Sequence, residues 1–262
     1  MATALITGAS AGLGLEFAWQ LATARHDLVL VARDEERLHD VARQLRSAAG
    51  IDVEVLRADL SVPDDLARVA QRVADPERPV SLLVNNAGFP VNQRFVGGDL
   101  SQELLALDVL VKAVLVLAHA AADAMVTRGR GAILNVASVA ALTTSGTYSA
   151  HKAWVRTFTE VLAVQLKGTG VTATALCPGL THTEFHERAG VDTSNLPDIA
   201  WLDAESVVSA ALADVRRGVV ISTPSLRYTV ASGFLRAIPR SAVRALDAGG
   251  LTGMRGRWAK KG

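Results

Sequence analysis

Seven short runs of apolar, β-prone residues are separated from one another by stretches with the 3.6-residue period of helices. This alternation limits the fold more than any other feature of the chain. "TALIT" leads into "GLEFAWQLATA", "DLVLVA" into "DEERLHDVARQLRSAA", and "DVEVLRA" into "PDDLARVAQRVA". The series continues with "VSLLVN", a long helix from about Ser101 to Thr127, "GAILNVAS", a helix through "YSAHKAWVRTFTEVLAVQL", "VTATALC", a helix near "DAESVVSAALADVR", and "GVVIS". Strands separated by helices cannot pair as hairpins, so the crossovers are right-handed and the sheet is parallel. The strands are almost continuously apolar, as helices on both faces require. The expected architecture is α/β, a doubly wound seven-stranded parallel sheet in a single domain over residues 1–222. A basic, partly apolar C-terminal extension, residues 223–262, is expected to pack on or beside it.

Composition agrees with one globular unit. Of 262 residues, 50% are apolar and 20% charged, a balance that supplies a core and excludes extensive disorder. The single cysteine, Cys177, cannot form an internal disulfide and reads as a small buried hydrophobe before Pro178. The N-terminal "MATALITGAS" has no basic flank followed by a cleavable apolar segment, so a reducing, cytoplasmic location is expected. Asp108, Lys112 and Asp123 interrupt the most apolar helix, and no membrane-spanning segment is expected.

Charge is uneven along the chain. From Thr223 onward there are eight Lys and Arg against Asp247 alone, a net +7 in a protein whose total is +1. The simplest reading is a terminal helix with a solvated basic face; peripheral contact with anionic lipid is the alternative. No nucleic-acid partner is expected.

"TGASAGLG", Thr7 to Gly14, lies directly between the first strand and the first helix. Gly8 permits the tight turn, Gly12 lets a pyrophosphate approach the backbone, and Gly14 allows close helix-to-strand packing. The helix N-terminus then faces the anion. No Lys-Ser or Lys-Thr follows the last glycine, which argues against a Walker loop. With "NNAG" at Asn85 to Gly88 and Tyr148-x-x-x-Lys152, in this order, the chain resembles the short-chain dehydrogenase/reductase family over residues 3 to 222. The resemblance implies a Rossmann-type fold, a nicotinamide cofactor, and a homodimer or homotetramer formed through the helices near 101–127 and 148–168.

The resemblance also implies a cofactor site built from Gly8, Ser10, Gly12, Leu13 and Gly14, with Asn86, Ala87 and Gly88 against the adenine-ribose half. Asp59 is expected at the adenine amino group, with Leu60 beside it. Pro178, Gly179 and Leu180 are expected to line the nicotinamide, and Thr183 to reach its carboxamide or the phosphates. A carboxylate at the end of the second strand would repel a 2′-phosphate, whereas an arginine favours it. "LVLVARDEER" places Arg33 there, so NADP(H) is favoured, with NAD(H) left open because Asp34 could pair with Arg33.

For the chemistry, the resemblance implies Tyr148 as proton donor, Lys152 as its electrostatic partner and ribose ligand, and Ser138 as the group that polarises the substrate carbonyl. A phenol of pKa about 10 is a poor proton carrier at neutral pH, and an ammonium four residues away on a helix favours the phenolate. Two departures stand out. Ser138 precedes Tyr148 by only ten residues, a shorter interval than the family's usual one, with Thr143, Thr144 and Ser145 as weaker alternatives. Leu110 stands where the family places an asparagine that loosens the long helix so that a backbone carbonyl can hold a relay water.

His182 and His186, with Glu184 and Glu187, could chelate zinc, but the pattern is not His-Glu-x-x-His and no third ligand is evident, so no metal is expected. His151 reads as a helix-surface residue. The expected activity is reduction of a carbonyl, or the reverse oxidation of an alcohol. Phe185, Leu196, Ile199, Trp201, Phe234 and Leu235, in the segment of about 180–202 and the extension, suggest a hydrophobic substrate such as a ketoacyl or steroid-like ketone. The rival reading, motivated by Leu110 and the short serine loop, is an NADP(H)-binding protein with weak or no turnover, acting as a sensor or scaffold.

Overall fold

All seven expected strands form: β1 (Thr3–Thr7), β2 (Asp27–Ala32), β3 (Val53–Arg57), β4 (Val80–Asn85), β5 (Gly131–Val136), β6 (Val171–Leu176) and β7 (Ile221–Ser222). The computed structural model describes residues 2–183 and 200–248. Every pairing is parallel, and the strand order is β3-β2-β1-β4-β5-β6-β7. The chain therefore winds outward from β1 in one direction, returns, and winds outward from β4 in the other. The crevice between the carboxyl ends of β1 and β4 is where such a sheet binds ligands.

Successive strand residues point to opposite faces, so each strand feeds two apolar layers. Ala4, Ile6, Leu28 and Leu30 pack under α1 (Gly12–Thr23), α2 (Glu35–Ala49) and α7 (Ala204–Arg216). Leu5, Val29, Val31 and Ile133 pack against α3 (Pro63–Ala74), α5 (Ala113–Arg128) and α6 (Gly146–Gln165). Each fully buried Leu, Ile or Val side chain contributes about 1.5–3 kcal/mol.

Helix ends follow local chemistry. Asp34 caps α2 by accepting the Arg37 N–H at 3.0 Å, and Gly50, at φ +61°, closes its C-terminus in the left-handed region. Pro63 opens α3, with Asp64 and Asp65 complementing its positive end. Asp203 caps α7 by accepting the Ser206 N–H at 2.7 Å.

The expected long helix is present but not uniform. α4 (Leu100–Leu107) and α5 are joined through a π-helical turn over Asp108–Lys112. The helix Leu100–Arg128 is long and apolar enough, by length and composition, to cross a bilayer, its most apolar 18-residue window having a mean hydropathy of 2.1. Here it is a core helix: Leu110, Ala113, Leu117, Ala118, Ala121 and Met125 are buried, and α5 lies against α3, β4 and β5. Its interrupting charges, Asp108 and Lys112, pair with each other at 3.1 Å on the exposed side.

Beyond β7, α8 (Leu226–Ala237) packs on the short 3₁₀ turn Val139–Leu142, and the following α9 (Arg240–Ala248) sends the Arg240 guanidinium to the Leu142 carbonyl at 2.8 Å. The chain enters α8 through Ser225 at φ +121°, a conformation that costs a non-glycine residue about 1–3 kcal/mol. Arg255, Arg257, Lys260 and Lys261 of the basic tail lie outside the described residues.

Candidate active site

The loop after β1 is braced by the loop after β4. The Thr7 hydroxyl accepts the N–H groups of Asn86 and Ala87, both at 3.0 Å, and the Asn86 amide donates to the Thr7 carbonyl at 2.9 Å. Asn86 therefore holds the loop, a role additional to the expected one beside the adenosine. Gly8 (φ +67°) and Gly12 (φ +54°) occupy backbone conformations that favour glycine. At Gly14 a Cβ would stand 2.1 Å from the Gly8 carbonyl oxygen and 2.5 Å from the Asn86 amide nitrogen, so no side chain fits. Ser10 is half-buried in the turn, and Leu13 packs on the core layer beneath α1.

The first turn of α1 carries no acidic residue, and its N-terminus has no side-chain cap. Its free N–H groups and the positive end of the helix dipole are left for an anion. Thr183 comes to this end of the helix, its Cβ 3.4 Å from where a Cβ on Gly12 would stand. A bare backbone cradle, unopposed N–H donors and a neighbouring hydroxyl fit the pyrophosphate of a dinucleotide.

Arg33, exposed at the end of β2, lies close enough to Asp59 to influence its titration. Burial pushes the Asp59 carboxyl up, but hydrogen bonds from the Ser61 hydroxyl (2.7 Å) and N–H (3.0 Å), with the Arg33 and Arg57 charges, outweigh it and hold the pKa below the ordinary value. Asp34, the residue that might have neutralised Arg33, is engaged as the cap of α2. Leu60 is buried in the same core layer as Val31 and Leu66.

Ser138 ends the segment after β5, and its side chain hydrogen-bonds the Tyr148 phenol. Its oxygen also accepts the Ala140 N–H at 3.1 Å, which fixes the 3₁₀ turn that follows. The short interval between Ser138 and Tyr148 is thus spanned by one turn of 3₁₀ helix and the start of α6. Of the alternatives, Thr143 is engaged within the loop, with the Ala140 carbonyl and the Ser149 hydroxyl each 3.0 Å away.

Lys152 is 4% exposed, its ammonium 5.7 Å from the centre of the Tyr148 ring. It donates to the Val136 carbonyl at 2.7 Å. Burial lowers its pKa to about 8, with a small opposing influence from Cys177. Tyr148 keeps partial contact with solvent, yet burial dominates its phenol and raises the pKa above the ordinary value, against the Ser138 hydrogen bond. The Lys152 ammonium is directed at the backbone of β5, and burial is the larger influence on the phenol.

Leu110 does not leave the long helix unloosened, contrary to expectation. The π turn at Asp108–Lys112 forms without an asparagine, packed against α6. Leu110 is 1% exposed, and its Cδ2 stands 2.8 Å from where a Cβ on Gly88 would be, with the Lys152 ammonium 3.8 Å from the same point. Apolar packing between α6 and the NNAG loop supports the wide turn here.

Two further features escaped the sequence reading. Beneath the site the Asn85 amide donates to Asn135 at 2.9 Å, the Asn135 amide to Thr159 at 3.0 Å, and the Thr159 hydroxyl to the Val155 carbonyl at 2.7 Å. Only the sheet register, which sets Asn85 opposite Asn135, creates that chain. The second is Tyr228, whose ring lies 2.1 Å from where a Cβ on Gly179 would stand. Pro178 accepts the Val139 N–H at 3.0 Å, linking the segment after β6 to the serine loop.

His182 stacks on Trp201 with ring centres 4.5 Å apart. Glu184, Phe185, His186, Glu187, Leu196 and Ile199 lie outside the described residues. His151 is half-buried on α6, and burial lowers its pKa against the opposing charge of Glu103.

A sequence model of the short chain dehydrogenase family matches residues 2–193. The chain is 37% identical to the sulfoacetaldehyde reductase 2 of Chromohalobacter salexigens over 188 residues, 69% of this chain and 73% of that one. Its fold is similar to a short-chain dehydrogenase from Sphingobium yanoikuyae in complex with NADPH (TM-score 0.82, 34% identity, 92% of this chain and 98% of that one). It is also similar to a bulky-bulky ketone specific alcohol dehydrogenase from Comamonas testosteroni (TM-score 0.78, 30% identity, 92% and 96% of the two chains). The protein is an NAD(P)-dependent oxidoreductase, and the chain belongs to the short-chain dehydrogenase/reductase family.

Proposed function

We propose that the protein is an NADPH-dependent carbonyl reductase, or the reverse alcohol dehydrogenase, acting on a hydrophobic ketone such as a ketoacyl or steroid-like one. The observation that carries this reading is the grouping of Ser138, hydrogen-bonded to the Tyr148 phenol, with the buried Lys152 ammonium 5.7 Å from the centre of the Tyr148 ring. An acid form is what reduction needs, since the new alcohol takes its proton from the protein.

Gly8, Gly12, Gly14, Asn86, Ala87, Gly88, Asp59 and Thr183 would hold the dinucleotide, with Arg33 on the 2′-phosphate, and Tyr148 and Lys152 beside the nicotinamide ribose. When bound, the nicotinamide supplies the hydride. Ser138 binds the carbonyl oxygen and orients it toward Tyr148. Tyr148 then delivers its phenolic proton to that oxygen. Lys152 steadies the resulting phenolate, the form its charge favours.

The preference for NADP(H) rests on Arg33 and on the use of Asp34 as a helix cap. A hydrophobic substrate is supported by Trp201 and Leu202 beside the site and by the name of the Comamonas relative; the Chromohalobacter relative is named for a small aldehyde. Assembly as a homodimer or homotetramer is supported by exposed Leu104, Leu107 and Leu115 on the long helix and by Val161 and Val164 on α6.

The test is a panel of ketones and aldehydes with NADPH and NADH, comparing the native protein with Tyr148→Phe. NADPH-linked turnover lost in the variant supports the reductase. Tight cofactor binding without turnover on any substrate supports a sensor or scaffold.

A further inference from the structure

We propose that Tyr228, in the C-terminal extension, is a positioning residue that ties Leu180 to Ala200 and so sets the wall of the active site formed by Gly179 and Leu180. This rests on the reductase reading above for its kinetic consequence, but not for its structural one. The Tyr228 hydroxyl accepts the Leu180 N–H at 3.1 Å and donates to the Ala200 carbonyl at 2.6 Å. One phenol thereby satisfies a donor and an acceptor twenty residues apart in the chain.

Neighbouring contacts make the junction rigid. Thr181 and Leu202 form a parallel bridge, in which the Leu202 N–H donates to Leu180 at 2.8 Å and the His182 N–H to Leu202 at 2.9 Å. Beneath the hydroxyl, the Tyr228 ring takes the volume that a side chain at 179 would need, coming within 2.1 Å of that position. Gly179 is followed by Leu180 and preceded by Pro178, whose carbonyl holds the residue after Ser138. A path of direct contacts runs from the Tyr228 ring through Gly179 and Pro178 to Val139 and the serine that meets Tyr148.

The extension is held against this region at a second point, where Arg240 donates to Leu142 at the far end of the same 3₁₀ turn. Tyr228 and Arg240 thus anchor α8 and α9 to the two loops that flank Ser138. Tyr228 acts through the backbone of Gly179 and Leu180; it transfers no proton and binds no reacting atom. Both bonds are partly buried, so removing the phenol takes a protein partner from the Leu180 N–H and the Ala200 C=O together.

Tyr228→Phe in the full-length protein tests this, since it keeps the ring on Gly179 and removes only the two hydrogen bonds. Hydrogen exchange of a peptide containing Leu180 is expected to rise by roughly 5- to 30-fold, the effect of one or two net hydrogen bonds. NADPH affinity is expected to stay within about threefold, while KM for the bulkiest accepted ketone rises roughly 5- to 30-fold with kcat changed far less. Unchanged exchange at Leu180 overturns the proposal, as does a parallel fall in melting temperature, NADPH affinity and kcat, which would make Tyr228 a general packing residue. If the native protein turns over no ketone, the reductase reading fails, and exchange at Leu180 still decides the tie made by Tyr228.

Discussion

The ammonium of Lys152 donates a 2.7 Å hydrogen bond to the carbonyl oxygen of Val136, the last residue of β5. The lysine is therefore tied to the strand that carries Ser138 two residues later, while its charge stays 5.7 Å from the centre of the Tyr148 ring. A buried cation satisfied by one carbonyl is poorly compensated, and its pKa falls to about 8. The strain of holding that charge is used to fix the geometry between strand and helix.

Replacing Lys152 by methionine is expected to stabilise the protein at neutral pH. The folded pKa of about 8 lies below the unfolded value, so between the two the unfolded chain carries one more proton than the folded chain. Native stability consequently rises with pH from about 8 to about 10.4, and the Lys152→Met advantage, on the order of 1–3 kcal/mol at pH 7, disappears across that window. Calorimetric unfolding at pH 7 and pH 10.5 reads it; an advantage that grows with pH contradicts the assignment.

Tyr148→Phe removes the proton donor and keeps the ring. Ketone reduction is expected to fall by about 10²–10⁴-fold, with NADPH binding nearly unchanged. Ser138→Ala, which leaves the phenol without its partner, is expected to lower kcat/KM by roughly 10- to 100-fold, the range of a hydrogen bond strengthened in the transition state. Steady-state rates and fluorescence titration of NADPH separate the two quantities.

Leu110→Ala should be expensive because the side chain is 1% exposed and packs on Gly88 and beside Lys152. The expected loss is about 2–5 kcal/mol in urea unfolding. The vacated volume also admits water next to the ammonium, so the Lys152 pKa is expected to move up from about 8 toward its ordinary value. A stability loss without that shift would separate Leu110 from the lysine's environment.

Arg33→Asp is expected to invert cofactor preference. The arginine is exposed at the end of β2 and the neighbouring Asp34 is committed to capping α2. Loss of a charge-assisted hydrogen bond and the gain of a repulsive carboxylate should weaken NADPH relative to NADH by about 30- to 300-fold in kcat/KM. Equal kcat/KM values for NADPH and NADH in the unmodified protein would remove Arg33 from the 2′-phosphate.

Gly179→Ala places a methyl within 2.1 Å of the Tyr228 ring, and backbone on one side with an anchored phenol on the other leaves little room to yield. Melting temperature is expected to drop, and the Gly179→Ala, Tyr228→Ala double variant is expected to lose less than the two single losses combined. Additive losses in that cycle would mean the two residues do not press on each other.

Much of the fold was legible in the chain. The seven strands lie in the short apolar, β-prone runs, and the helices where hydrophobic residues recur at helical spacing, because both patterns are set by near neighbours. The glycine loop was legible for the same reason: its conformations, Gly8 at φ +67° among them, are local needs. The site residues were named through the family resemblance, and Ser138, Tyr148 and Lys152 lie close together in the fold. Their protonation was not legible, since it depends on how much water each group loses. Tyr228 was not legible either: it lies 48 residues beyond Leu180, in a helix whose hydrophobic pattern does not single it out.

What the amino-acid sequence by itself determined is the order of elements and the parallel sheet, consequences of propensity and periodicity, while the groups around the crevice followed from the motifs shared with a family. Tertiary structure alone decided that the long helix opens into a π turn at Leu110 without an asparagine, that Lys152 bonds to Val136, and that Tyr228 closes on Gly179. Each of these joins segments far apart in the chain. Desolvation and close contact belong to the surroundings a side chain meets after folding, and no local pattern specifies them.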